Sequence, residues 1–88
     1  MPNQDPITRF LDKEGRLRQW PRKQADQKLV LEFLAAKFEP GKSYGELEVN
    51  RILMLNHTFE DYIFLRRALV DARLLGRESD GSRYWRTG

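Results

Sequence analysis

Cysteine is absent from this 88-residue chain, which excludes disulfide bridges and thiolate metal sites and fits a reducing compartment. Histidine occurs once, at position 57, so a zinc or other transition-metal site would lack a second imidazole. The sequence also has no glycine-rich phosphate loop and no nucleophile elbow, and a single imidazole is all it offers as a base near neutral pH. These absences predict a protein that is not an enzyme and has no cofactor, no metal and no small-molecule substrate. Long apolar runs are missing as well: the longest aliphatic or methionine stretch is Ile52 to Leu55, far short of the ~20 residues of a membrane helix. The residues Met1 to Asp5 combine neither a basic start nor a following apolar stretch, so no secretory signal is expected. A cytoplasmic protein without a membrane partner is the expectation.

What is present fits one small domain over residues 1–88, with 40% hydrophobic residues and no repeats or low-complexity segment. A chain this short hides only about 60% of its unfolded surface, so most apolar residues must pack the core and a large buried cleft is not expected. Sixteen basic and thirteen acidic side chains give +3, which is compatible with nucleic-acid binding but too mild to announce it. Residues 1–28 hold seven Lys/Arg against four Asp/Glu, so an anion-binding surface should include that third.

Hydrophobic spacing and breaker residues predict the element order. Asp5-Pro6 opens a short helix with Ile7, Phe10 and Leu11 on one face. Asp12 to Gly15 reads as a turn, and Arg16 to Trp20 as a short extended segment stopped by Pro21. From Arg22 to Phe38 the positions Ala25, Leu29, Val30, Phe33, Leu34 and Phe38 form an amphipathic stripe that ends at Glu39-Pro40-Gly41. Tyr44 fits a brief strand before a second helix capped by Gly45 with Glu48 three residues on, and Val49, Ile52 and Leu53 form its inner face.

The third helix is predicted over Thr58 to Ala72, capped by Thr58 with Glu60 and Asp61 in its first turn. Tyr62, Leu65, Leu69 and Ala72 form its inner stripe, flanked by Ile63, Phe64 and Ala68. Leu74–Ser79 and Ser82–Arg86 then flank Asp80-Gly81 as a hairpin in which Glu78 faces Arg83. This order predicts an α+β, winged-helix-like three-helix domain with a C-terminal β-hairpin wing and a short N-terminal helix.

Several ordered motifs carry a family resemblance: Gln19-Trp20-Pro21, Tyr44 with Glu46 to Asn50, Leu65-Arg66-Arg67 with Leu69-Val70-Asp71, and Asp80-Gly81 with Tyr84-Trp85-Arg86. From about Phe10 to Arg86 the chain resembles the prokaryotic domain of unknown function 2087 family. Such domains stand alone or appended to bacterial transcriptional regulators, so the resemblance implies a setting in transcription regulation without assigning an activity. The chain is expected to depart from the pattern in having no separate DNA-reading domain upstream, and Arg73 stands where helix ends of this type commonly have glycine.

Two functional readings follow. In the first, the chain binds duplex DNA through Arg66 and Arg67 on the third helix and Arg73, Arg77 and Arg83 along the wing. Arg16, Arg18, Arg22 and Lys23 would then hold phosphate; as a separate reading, the same cations hold the backbone of a single strand while the Trp20 ring among them stacks a base. Against it, pairing of Arg67 with Asp71 and Arg83 with Glu78 explains those arginines structurally, and Glu60 and Asp61 repel phosphate where a recognition helix reads bases. Trp20 is then a packing anchor that holds its strand on the long helix, and Trp85 has the same two readings. In the second reading the chain is an interaction or dimerisation module that pairs with itself or a transcriptional regulator through Met54, Leu55, Phe59 and Phe64. His57 and Asp61, four apart, suggest a hydrogen-bonded pair or two metal ligands, with capping of the helix start the simpler role.

Overall fold

The computed structural model describes residues 6–57 and 61–87, so the expected cap at Thr58, the first-turn Glu60, the surface residue Phe59 and the N-cap Asp5 lie outside the described residues. The elements run from a 3-10 helix, Pro6–Phe10, through α1 (Gln24–Ala35), β1 (Ser43–Tyr44), α2 (Glu46–Leu55) and α3 (Tyr62–Asp71) to β2 (Leu75–Arg77) and β3 (Tyr84–Arg86). The class is α+β, with three α-helices on one small antiparallel sheet of order β1-β3-β2. The two hairpin strands and the strand between α1 and α2 follow the order expected of a winged helix.

Local chemistry accounts for the boundaries. The Gly45 amide donates to Glu48 Oε1 at 3.0 Å, closing the first turn of α2. Helix α3 starts later than expected, because Asp61 is its cap and accepts from the Phe64 amide at 2.9 Å. Its end is a Schellman motif: the Arg73 amide donates to Val70 O at 2.9 Å and the Leu74 amide to Leu69 O at 3.0 Å. That geometry needs a left-handed residue after the cap, and Arg73 supplies it at φ 62°. At the wing, Gly76 faces Trp85 and Arg77 faces Tyr84, which sets Glu78 opposite Arg83, and the Glu78 amide donates to Arg83 O at 2.9 Å. The strands end at Arg77 and Tyr84, so the turn is longer than two residues; the Gly81 amide bonds Glu78 O at 2.9 Å with Gly81 at φ 77°.

The segment 16–20 is held without forming a ladder. Leu17 makes isolated bridges to Leu11 and to His57, its amide donating to Asn56 O at 2.8 Å. Leu17, Val30, Leu34, Val49, Leu53, Leu65 and Leu69 are fully buried and join all three helices in one core. Burial of each such side chain contributes roughly 1.5–3 kcal/mol relative to exposure. The stripe of α1 is rotated from its expected centre: Leu31 and Ala35 are buried, Leu29 and Phe33 half-buried and Ala25 exposed. In α3 only Leu65 and Leu69 are buried, Ala72 is exposed at the cap, and Ile63 and Phe64 face outward.

Candidate functional site

Helix α3 and the wing enclose a groove of about 360 Å³. Its lining includes three guanidinium groups, from Arg66, Arg67 and Arg77, and three carboxylates, from Glu46, Asp71 and Asp80. The signs balance, so the groove concentrates no positive potential for a phosphate backbone. Arg66 is largely committed within the protein: its Nη1 donates to Asn50 Oδ1 at 2.5 Å and lies 4.0 Å from Glu46 Oε2, with the side chain only 16% exposed. It ties α3 to α2. The guanidinium of Arg77 turns back onto its own hairpin, donating to the carbonyls of Glu78 and Ser79 at 3.2 and 3.3 Å. Hydrogen bonds from the Ser82 hydroxyl and then its amide, at 2.9 Å, hold the Asp80 carboxyl below its ordinary range and keep it anionic.

Arg67, Arg73 and Arg83 are exposed. The pairs expected between Arg67 and Asp71 and between Arg83 and Glu78 do not form; ion pairs among the described residues join Arg9 to Asp26, Arg16 to Asp12 and Glu14, Lys42 to Glu39 and Arg66 to Glu46.

The amino-terminal cations are only partly available. Arg16 is taken by Asp12, whose carboxylate also accepts from the amides of Arg16 and Glu14 at 2.9 Å each. The Arg16 amide bond, ahead of that residue's charge, pulls the Asp12 carboxyl below its ordinary range. Arg18 donates to Arg9 O at 2.8 Å, while Arg22 and Lys23 stand exposed at the start of α1. The Trp20 ring is not an open stacking platform, since it meets Phe64 edge-on with centroids 4.9 Å apart. It therefore joins its segment to α3, and the Gln27 side chain ties the same segment to α1 by donating to Pro21 O at 2.9 Å.

The apolar side chains give a different picture. Leu47 is 82% exposed, Leu55 66%, Met54 56%, Ile63 45% and Phe64 41%. Leu47, Met54 and Leu55 line a groove of about 380 Å³ with Asn50, Arg51 and Tyr62, so α2 and the first turn of α3 form its walls. Met54, Leu55 and Phe64 were expected at a surface; Leu47, Ile63 and Arg51 were missed. The signal for Leu47 was the row Leu47, Arg51, Leu55 at spacing four, opposite the inner pair Val49 and Leu53.

His57 is buried, with Nδ1 against the Leu53 carbonyl, and Asp61 is spent on capping. No group of three or more potential metal ligands occurs among the described residues, and no described helix is long and apolar enough to cross a membrane.

The chain belongs to a family described as uncharacterized protein conserved in bacteria (DUF2087), which matches residues 16–86. No curated protein and no solved structure matches it.

Proposed function

We propose that this chain is a non-enzymatic protein-interaction module that presents the outer face of α2 and α3 to a partner. The observation that carries this reading is the exposure of Leu47, Met54 and Leu55 around one groove, with Ile63 and Phe64 on the adjoining helix. Five large apolar side chains at 41–82% exposure are a cost to a free monomer in water, and such clusters are repaid by association. The test is a photo-cross-linking residue placed at Leu55 or, as a control on the far helix, at Lys28, expressed in the native host. Discrete adducts at Leu55 alone support the reading; equal labelling at both positions, or none at either, removes it.

Binding of duplex DNA through α3 and the wing is the second reading, favoured by the exposure of Arg67, Arg73, Arg77 and Arg83 on that side. The carboxylates of Asp71 and Asp80 in the same groove oppose it. A titration with a generic duplex of about 20 base pairs, long enough for a helix and a wing, separates the two readings. Shifts confined to α3 and the wing whose salt slope falls by about 1 on Arg67→Ala favour DNA. Silence at low salt leaves the interaction module.

A further inference from the structure

We propose that the α2 groove receives an amphipathic helix whose apolar anchors lie between Leu47 and Leu55 and whose carboxylate pairs with Arg51. The proposal rests on the interaction-module reading and names the partner's chemistry. Leu47 and Leu55 are eight positions apart, a span of about 12 Å along the helix, which matches anchors at i, i+4 and i+7 of a helix laid alongside. Among the described residues, Arg51 is the only charged one lining the groove, and it takes part in no ion pair or side-chain hydrogen bond with them. Covering a guanidinium with apolar surface and no counter-charge is unfavourable, so the segment that fills this groove must bring a carboxylate.

A second copy of the chain fits poorly. An isologous contact through this face brings in two copies of Arg51, and the described residues lining the groove supply no carboxylate to either. The acidic residues of α2 are engaged elsewhere, Glu48 with the Gly45 amide at 3.0 Å and Glu46 near Arg66 at 4.0 Å. Like charges with no counter-ion disfavour that assembly, whereas an acidic partner resolves the imbalance.

The experiment uses the full chain with labelled leucine and methionine methyl groups, titrated with two synthetic helical peptides. Both carry the same leucine anchors at i, i+4 and i+7; one is flanked by glutamate and the other by lysine. The expected result is that the glutamate peptide shifts the Leu47, Met54 and Leu55 methyls and binds about tenfold more tightly than the lysine peptide. Arg51→Glu reverses that order and Arg51→Gln abolishes it, with unmoved Leu65 and Leu69 methyls reporting an intact core. Equal affinity for the two peptides overturns the acidic-partner assignment while leaving an interaction surface in place. Self-association through the same methyls, seen in sedimentation with neither peptide bound, overturns it in favour of a second copy. Binding of neither peptide by a monomer also overturns it, and the cross-linking result at Leu55 then decides the broader reading independently.

Discussion

The indole of Trp85 on β3 lies so close over Gly76 on β2 that a methyl group at position 76 would come within 2.4 Å of its Nε1 and 2.5 Å of Cε2. Glycine is therefore required by the ring rather than by the backbone, since Gly76 sits in an ordinary strand pair opposite Trp85. Gly76→Ala forces the indole off the strand. The expected loss is about 1–3 kcal/mol, the usual cost of an inserted methyl group in a packed site. Urea unfolding measures it, and the Trp85 indole resonance should move; an unchanged resonance would mean that the ring does not rest on Gly76.

Arg66 provides a prediction that separates packing from recognition. Its bond to Asn50 joins the two helices that form the apolar groove. Hydrogen bonds involving a charged group contribute roughly 1.5–3 kcal/mol, so Arg66→Ala and Asn50→Ala should each lower stability by about that amount. The double variant should lose less than the sum of the two, because both singles remove the same bond. Strict additivity in denaturation would show that Arg66 gains little from Asn50.

The left-handed Arg73 is a candidate for stabilisation. A side chain at φ 62° costs on the order of 1 kcal/mol relative to glycine, and the Schellman bonds hold it there regardless. Arg73→Gly should raise the thermal midpoint by a few degrees, the shift that about 1 kcal/mol gives a domain of this size. A lower midpoint would mean that the arginine side chain gives back more than its backbone costs.

Much of this architecture was legible in the sequence because breaker and cap residues are local signals. Gly45 with Glu48 marks a boundary that the structure keeps, while Glu39-Pro40-Gly41 and Asp80-Gly81 fall in connections as expected, although α1 already ends at Ala35 and the hairpin strands stop at Arg77 and Tyr84. The start of α3 was misplaced because Thr58 and Asp61 are both good caps three residues apart, and spacing alone does not rank them. The inner stripe of α1 was rotated for a related reason: Leu29, Val30, Leu31, Phe33 and Leu34 are all apolar, so periodicity leaves the buried face to tertiary packing. At the surface, the arginines were visible but their partners were not. Asn50 lies sixteen positions from Arg66, and nothing in one dimension joins them.

Two turns carry a pH dependence with a definite sign. The Asp12 carboxylate accepts amide bonds from Glu14 and Arg16, and the Asp80 carboxylate is held by Ser82 through its hydroxyl and its amide. Both carboxyls titrate below the ordinary value of 3.8. A carboxyl with a depressed folded-state pKa stabilises the fold fully above the unfolded-chain value, and this stabilisation is lost as pH falls through the folded-state value. Carboxyl carbon resonances of Asp12 and Asp80 should therefore show midpoints below 3.8. Asp12→Ala should unfold at lower urea than the parent near neutral pH, and the gap should close as the pH falls below 3.8 and through the depressed folded-state value. A gap of constant size down to the acid end would mean that the ionised carboxylate is not what orders the Asp12–Arg16 turn.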